Sequence, residues 1–183
     1  MHILESGAWH GNDIKYNFDQ SLCLAITSLF VKNNIEKVID IGCGGGHYTN
    51  LISQTIWNTI GYDGNYYVNK YNKNCKHTNF AYEVNLGQFD GVLCLEVGEH
   101  IPKKYEQIFI DNIKRCEPKL IVLSWAIPGQ GGNGHVNEQT NDYIKKQFSE
   151  YFFSFEDSHF LRHTVSNCQW FKQTLMVFHK WQQ

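Results

Sequence analysis

The sequence lacks any long hydrophobic run. Its 183 residues contain no apolar stretch close to the ~20 residues that a membrane-spanning helix needs. Residues 1–9 have neither the basic segment nor the apolar segment of a secretory signal peptide. We therefore expect a soluble protein of the cytoplasm that has no membrane partner.

Closely spaced cysteines and a strong net charge are also missing. The six cysteines are scattered, without a Cys-x-x-Cys pair, which fits a reducing compartment. The formal charge of −2 excludes a large basic surface for duplex nucleic acid. At this length we expect a single domain over 1–183, with an N-terminal lid and helix segment over 1–32.

Hydrophobic periodicity predicts strands that alternate with helices. The predicted strands are Val38–Ile41, Trp57–Tyr62, His77–Tyr82, Phe89–Leu95, Leu120–Ala126, Tyr151–Phe155 and Gln173–Phe178, and the predicted helices are Asp19–Lys32, His47–Thr55, Lys103–Cys116 and Glu138–Ser149. This alternation favours an α/β fold, a three-layer sandwich around a mostly parallel seven-stranded sheet. The last two strands have no predicted helix between them, so we expect an antiparallel C-terminal hairpin at one edge of the sheet.

The most informative motif joins an apolar strand to a glycine-rich loop. Residues 38–46 read Val-Ile-Asp-Ile-Gly-Cys-Gly-Gly-Gly. Glycine lets the backbone approach a ligand closely, and the N-terminal amides of a following helix point at the same ligand. The dinucleotide fingerprint requires glycine or alanine where His47 stands. The run resembles motif I of the class I S-adenosylmethionine (SAM) methyltransferases, which implies a Rossmann-like methyltransferase fold and cofactor binding by Asp40, Gly42, Cys43 and Gly44.

The same resemblance implies further cofactor contacts. Asp63 ends the second predicted strand, where a carboxylate can accept hydrogen bonds from both ribose hydroxyls, although Asp-Gly is also a turn signal. Asn85 and Leu86 stand where the family often has Asp-Leu, which implies a contact with adenine. Leu95 and Glu96 end the fourth predicted strand and would face the methionine part of SAM.

A second group of polar residues follows two neighbouring strands. Glu96, Glu99 and His100 share one face if the chain turns helically there, and His135 lies in the next glycine-rich loop. The pattern Glu-x-x-Glu-His with a later His resembles the metal site of small-RNA 3′-terminal ribose 2′-O-methyltransferases. Glu-x-x-Glu-His is also similar to ubiquinone-biosynthesis O-methyltransferases. The resemblance implies that these four residues bind Mg²⁺ or Mn²⁺, but Ile101 stands where the RNA family has a second histidine.

Three roles for this group remain open at the sequence level. It holds a metal, it supplies a metal-free histidine base, or it is structural. In the first two cases the catalytic residues are Glu99, His100 and His135. Residues that could contact a sugar acceptor or form the walls of its pocket are Trp125, Gln130, Asn137, Arg162, Trp170 and Phe171. The segment Gly7–His10 is a candidate lid over the cofactor.

The sequence therefore predicts a SAM-dependent O-methyltransferase that acts on a hydroxyl of a sugar or a glycan-terminal diol. Small-molecule or glycan acceptors are favoured over nucleic acid because the chain carries no strong positive charge. One alternative is ribose 2′-O-methylation of RNA. Two others are a SAM-binding scaffold without catalysis and an NAD-binding oxidoreductase.

Overall fold

The computed structural model describes residues 2–181. In chain order its elements are β1 (His2–Ile3), β2 (Trp9–His10), α1 (Gln20–Lys32), β3 (Lys37–Ile41), α2 (His47–Ser53), β4 (Asn58–Asp63), α3 (Val68–Tyr71), β5 (Cys75–His77), β6 (Gly91–Leu95), two 3₁₀ turns (Gly98–His100 and Lys103–Tyr105), α4 (Glu106–Arg115), β7 (Leu120–Ser124), α5 (Asn141–Gln147), β8 (Tyr151–Ser154), α6 (Phe155–Thr164), α7 (Phe171–Thr174) and β9 (Met176–Lys180).

Seven strands form one sheet in the order β5-β4-β3-β6-β7-β9-β8. The pairs from β5 to β7 are parallel, whereas β9 is antiparallel to both β7 and β8. The central strands β3, β6 and β7 are apolar and buried, as expected for strands that are covered on both faces. The predicted α/β fold with a mostly parallel seven-stranded sheet is confirmed.

Helices cover both faces of this sheet. Residues of α1, α2 and α6 pack with one face of the central strands. Residues of α4 and α5 pack with the opposite face. Because β3, β4, β6 and β7 are parallel, their carboxyl ends lie at the same edge, and ligands of such sheets bind beyond that edge. Among the described residues, no helix has the length and apolarity needed to cross a bilayer.

The connection between the last two strands differs from the prediction. The predicted antiparallel pairing of the last two strands, β8 and β9, is confirmed, but α6 and α7 lie between them, where no helix was predicted. α6 begins where the Ser154 hydroxyl accepts a hydrogen bond from the backbone N–H of Asp157. Its buried residues are only Ser158 and Leu161, so α6 lacks the apolar face that reveals a helix in a sequence.

The third strand of the sheet also differs from its predicted position. It spans Cys75–His77 rather than His77–Tyr82. The side chain of Asn79 accepts a hydrogen bond from the backbone N–H of Ala81, which closes a turn directly after the strand. Phe80 and Ala81 are buried, but they belong to this turn and not to a strand.

Candidate active site

A cavity of about 500 Å³ opens at the carboxyl edge of the parallel strands. Its walls come from the N-terminal segment, the loops after β3, β4, β5, β6 and β7, and the turn before α7. The lining residues include the following predicted site residues: Asp40, Gly42, Cys43, Gly44, Asp63, Leu95, Glu96, His100 and His135.

The glycine loop forms one wall of the cavity. Gly42 and Gly44 have φ angles of 74° and 54°, in the left-handed region that favours glycine. A Cβ atom on Gly42 would lie 2.2 Å from Cγ2 of Val97, and one on Gly44 would lie 2.5 Å from Cδ1 of Tyr16. The loop therefore requires glycine at both positions, and Tyr16 packs directly against it.

Two carboxyl groups lie near the ends of β3 and β4: Asp40 is buried, and Asp63 is half-buried. Oδ2 of Asp63 accepts a hydrogen bond from the backbone N–H of Gly44 at 2.8 Å, and Oδ1 accepts one from Asn65 at 2.7 Å. Burial raises the pKa of Asp63. Oδ2 of Asp40 accepts a hydrogen bond from the Thr49 hydroxyl at 2.7 Å, and burial raises the pKa of Asp40 to about 7. Asp63 thus fixes the glycine loop against β4.

The predicted adenine contacts lie outside the cavity. Neither Asn85 nor Leu86 lines it. The Asn85 side chain accepts a hydrogen bond from the backbone N–H of Gly87. Asn79 and Phe80 line the cavity instead, because β5 ends at His77 and the turn after it reaches the site first. The contact of Asn85 and Leu86 with adenine therefore stays a prediction that the cavity lining does not support.

The N-terminal segment covers one side of the cavity. Ser6, Gly7, Ala8 and Trp9 line the cavity, but His10, which ends the predicted lid, does not. A Cβ atom on Gly7 would lie 1.8 Å from the carbonyl oxygen of His100, so glycine allows this close approach. The ring of Trp9 contacts His100 edge-to-face, with centroids 5.3 Å apart.

A Glu-His-His cluster lies beside the cavity. Glu99, His100 and His135 each offer one ligand atom, and these atoms all lie within 4.8 Å of one another. The loops after β6 and β7 meet here because the two strands are neighbours: the backbone N–H groups of Val136 and Asn137 both donate to the carbonyl oxygen of Glu99. The ring centroids of His100 and His135 are 4.9 Å apart. The sequence prediction that these two loops converge is therefore correct.

Each histidine of the cluster is oriented through its Nδ1 atom. Nδ1 of His100 lies 3.2 Å from the carbonyl oxygen of Gly134. Nδ1 of His135 lies 3.0 Å from Oε1 of Glu138. A carbonyl oxygen accepts only, so Nδ1 of His100 donates to it and the lone pair is on Nε2. Glu138 was not predicted as a site residue from the sequence. The signal that could have identified it is its position three residues after His135, which lies in the glycine-rich loop.

The fourth predicted metal ligand, Glu96, lies outside this cluster. It has a φ angle of 53°, and the 3₁₀ turn begins only at Gly98, so Glu96 does not share a helical face with Glu99 and His100. Its Oε2 atom accepts a hydrogen bond from Nε2 of Gln130 at 2.6 Å. The expected helical spacing of the four ligands is wrong at this residue.

Burial controls the charges of the cluster. Glu99 is fully buried, and burial together with the nearby Glu96 carboxylate holds the pKa of Glu99 well above its ordinary value. Neither carboxylate oxygen of Glu99 has a hydrogen-bond partner among the described residues. Burial, followed by the neighbouring His135, lowers the pKa of His100 to about 4, so His100 is neutral at pH 7.

The predicted acceptor walls divide into two groups. Gln130, Trp170 and Phe171 line the cavity. Trp125 and Asn137 do not, because both are buried in the protein interior, where the Trp125 indole N–H donates to the carbonyl oxygen of Asn137. Arg162 does not line the cavity either; its side chain donates a hydrogen bond to the carbonyl oxygen of Leu175. Four lining residues were not predicted from the sequence: Lys15, Tyr16, Asn17 and Asn79.

Comparisons with known proteins agree with the fold described above, because they match methyltransferases. A family model described as a methyltransferase domain matches residues 15–124. No curated protein matches the chain. The methyltransferase domain of bacterial CtHen1-C has a TM-score of 0.64 at 18% identity, covering 88% of this chain and 97% of that one.

Two further solved structures are similar over most of this chain. Magnesium protoporphyrin IX methyltransferase from Synechocystis, with bound S-adenosylhomocysteine (SAH), has a TM-score of 0.63 at 15% identity and covers 91% of this chain and 88% of its own. The small RNA methyltransferase HEN1 has a TM-score of 0.61 at 14% identity and covers 94% of this chain but 27% of its own. At these identities the likeness is one of fold.

Proposed function

Because the chain belongs to the methyltransferase-domain family and is a SAM-dependent methyltransferase, we propose that it methylates a hydroxyl of a sugar or a glycan-terminal diol with the help of a divalent cation. The observation that carries the proposal is the Glu99–His100–His135 cluster beside the cofactor cavity. The remaining site residues act on the cofactor or on the acceptor.

The glycine loop and Asp63 fit the adenosyl part of SAM. A Cβ atom at Gly42 or Gly44 would meet neighbouring side chains, so the backbone is exposed where the cofactor binds. Asp63 uses one lone pair of each oxygen on a backbone N–H, which leaves a second lone pair on each for the ribose hydroxyls. SAM supplies a methyl group on a sulfonium centre. Leu95 and Glu96, at the end of β6, line the adjoining part of the cavity.

The cluster fits a divalent cation for three reasons. Both oxygens of Glu99 are buried without a hydrogen-bond partner among the described residues, which is costly for a carboxylate in the absence of a cation. Nε2 of His100 carries a lone pair because Nδ1 donates to Gly134. One carboxylate and two imidazoles suit Mn²⁺, and the carboxylate also suits Mg²⁺. We assign Glu99, His100 and His135 as the residues that hold the cation.

The chemistry needs an oriented hydroxyl that loses its proton. A divalent cation held by Glu99, His100 and His135 would favour the deprotonated form of a nearby hydroxyl. His100 and His135 place this charge beside the cavity, and Trp9 and Gly7 exclude water from one side of it.

The cavity lining favours a neutral acceptor. Lys15 is the single Lys or Arg among the lining residues that the structure describes. Trp9, Trp170 and Phe171 present aromatic surfaces, and the indole N–H groups of Trp9 and Trp170 are buried without hydrogen-bond partners among residues 2–181. Aromatic faces with nearby polar donors suit a sugar ring and its hydroxyls.

A terminal ribose of RNA is the second candidate. It carries the same vicinal hydroxyls, and two proteins of similar fold are described as a methyltransferase domain of bacterial CtHen1-C and the small RNA methyltransferase HEN1. An RNA acceptor requires cationic contacts to phosphates, and within residues 2–181 the cavity lining offers only Lys15 for them. We therefore rank it below a sugar.

A radiolabelled-SAM transfer screen tests both candidates. Free sugars, oligosaccharides, nucleosides and RNA oligonucleotides with 2′-hydroxyl or 2′-deoxy termini are compared, each in EDTA, Mg²⁺ or Mn²⁺. We expect transfer to a diol-bearing sugar that stops in EDTA and returns with Mn²⁺, while binding of SAH persists. Transfer to the 2′-hydroxyl RNA alone would favour the second candidate. Full transfer in EDTA would remove the cation from the proposal.

A further inference from the structure

The carboxylate of Glu138 holds together the loop that carries His135. We infer that Glu138 is a positioning residue that sets the tautomer and orientation of His135, so that His135 can ligate a divalent cation. The inference rests on the proposed cation site at Glu99, His100 and His135. Glu138 does not line the cofactor cavity and is not one of the three proposed cation ligands. It contacts this group through Nδ1 of His135.

Three donors converge on this carboxylate. Oε1 accepts a hydrogen bond from the backbone N–H of Gly131 at 2.7 Å, and Nδ1 of His135 lies 3.0 Å from the same oxygen. Oε2 accepts a hydrogen bond from the backbone N–H of Gly129 at 2.7 Å. A backbone N–H can only donate, so both oxygens of Glu138 act as acceptors in this loop.

An ionised carboxylate can only accept hydrogen bonds, so Nδ1 of His135 must carry its hydrogen towards Glu138. Nε2 is then the nitrogen that bears the lone pair. In metal sites this arrangement, a carboxylate on the far nitrogen of a ligand histidine, fixes the ring and raises its basicity. The Gly134 carbonyl does the same for His100. Both histidines of the cluster are therefore prepared as Nε2 ligands.

The same carboxylate shapes the loop between its two ends. Gly129 and Gly131 have φ angles of 87° and 69°, and their N–H groups turn inward to Glu138. Gln130 lies between them and donates from Nε2 to Glu96 in the cavity wall. One side chain, that of Glu138, thus holds the loop that carries both Gln130 and His135 to the cavity lining.

The base of this loop is fastened without Glu138. The backbone N–H groups of Val136 and Asn137 donate to Glu99, and that of Gln139 donates to Ala126. Removing the Glu138 carboxylate therefore changes the interior of the loop, while its C-terminal end stays hydrogen-bonded to the carbonyl oxygens of Glu99 and Ala126. This separation allows a test in which the fold is kept and only the geometry of His135 is altered.

The diagnostic substitution is Glu138→Gln. A glutamine keeps the size of the side chain but has one acceptor oxygen in place of two, so it cannot accept from both glycines and from His135. If its amide N–H₂ turns to Nδ1 of His135, the lone pair moves to Nδ1 and Nε2 becomes protonated. Loss of such a carboxylate–histidine contact weakens metal affinity by about 10- to 100-fold.

The experiment measures Mn²⁺ binding to the whole chain by electron paramagnetic resonance of the free ion, with SAH affinity and thermal midpoint as parallel readouts. The wild type, Glu138→Gln, His135→Ala and the matched control Glu156→Gln are compared; Glu156 is exposed on α6. We expect the Mn²⁺ affinity of Glu138→Gln to fall by about 10- to 100-fold, with an unchanged SAH affinity. If Glu138→Gln does not fold, Glu138→Asp replaces it: its shorter side chain withdraws the carboxylate from Nδ1 of His135, and we expect Mn²⁺ affinity to fall in the same direction.

The outcomes separate the two hypotheses. Tight Mn²⁺ binding by the wild type and Glu156→Gln, with weak binding by Glu138→Gln and His135→Ala, supports the inference. Equal binding by the wild type and Glu138→Gln, with loss only in His135→Ala, overturns the inference but leaves the cation site intact. Equal binding by the wild type and His135→Ala overturns the cation site and the inference together. A parallel fall in SAH affinity and thermal midpoint for Glu138→Gln would assign Glu138 a structural role and overturn the inference.

Discussion

Oδ2 of Asp19 accepts a hydrogen bond from the backbone N–H of Asn167 at 2.6 Å, across 148 residues of sequence. The same carboxylate accepts hydrogen bonds from Leu22 at the start of α1, and from the backbone N–H groups of Ser166 and Cys168. Asp19 is fully buried, so it joins the first helix to the segment between α6 and α7. This segment leads directly to Trp170 and Phe171 in the cavity lining.

We predict that Asp19→Ala lowers the free energy of unfolding by at least about 3 kcal/mol, because several bonds to a charged acceptor are lost and buried N–H groups remain unsatisfied. Urea unfolding measures the change. Asp19→Asn, which keeps one acceptor oxygen, is expected to lose less. Burial alone would raise the pKa of Asp19, but the N–H donors lower it overall, so its contribution is present above pH 3.8 and is lost as pH falls below that value. Equal stabilities of all three proteins would contradict this role.

The glycine loop gives a prediction with a closely matched control. Gly44→Ala places a Cβ 2.5 Å from Tyr16 at a φ angle of 54°, so the loop must shift. We expect SAH affinity to fall at least about 10-fold, which calorimetry measures. Gly87→Ala is the control, because Gly87 has a φ angle of 84° but open space around its Cβ position. Both variants bear a left-handed backbone penalty of about 1–2 kcal/mol, but only Gly44→Ala should lose SAH. Equal SAH affinities would contradict the assignment of the loop.

The sheet could be predicted because its central strands are unambiguous in the sequence. Buried parallel strands appear as continuous apolar runs, and β3, β6 and β7 are of this kind. The glycine loop after β3 was predictable for the same reason, since it directly follows such a run. The convergence of His100 and His135 followed from the parallel arrangement of β6 and β7 alone.

Features that depend on local turns or on long-range packing were not predictable. The turn at Asn79 ends β5 early and brings Asn79, rather than Asn85, to the cavity. The left-handed backbone of Glu96 removes it from the cluster, although its sequence spacing fits a helix face. Tyr16 reaches the glycine loop only through the folded N-terminal segment. The Tyr16 contact is long-range, whereas the Asn79 turn and the Glu96 backbone conformation are local but are not specified by the apolar pattern of the sequence.

Asp40 predicts a pH-dependent stability. Burial raises its pKa from 3.8 to about 7. Between these pH values the native state keeps a proton that the unfolded chain has lost. The contribution of Asp40 to the free energy of unfolding is therefore complete below pH ~4 and declines by on the order of 4 kcal/mol as pH rises to ~7. We predict that Asp40→Asn, measured by urea unfolding without cofactor, gains stability relative to the wild type between pH 4 and 8 by an amount of this order. A difference between the two proteins that stays constant with pH would contradict the raised pKa.

Trp9 is expected to act on the acceptor and not on the cofactor. Its ring contacts His100 and stacks on Tyr16 with centroids 6.3 Å apart, while its indole N–H is buried without a partner among the described residues. Trp9→Phe keeps the ring contacts and removes the donor, so the KM for the acceptor found in the transfer screen should rise about 3- to 10-fold, the value of one buried hydrogen bond. SAH affinity should stay unchanged, as it should in the control Trp57→Phe, since Trp57 is 85% exposed. If Trp9→Phe lost SAH affinity and kept the KM for the acceptor, the Trp9 N–H would be assigned to a contact with the cofactor and the prediction would be contradicted.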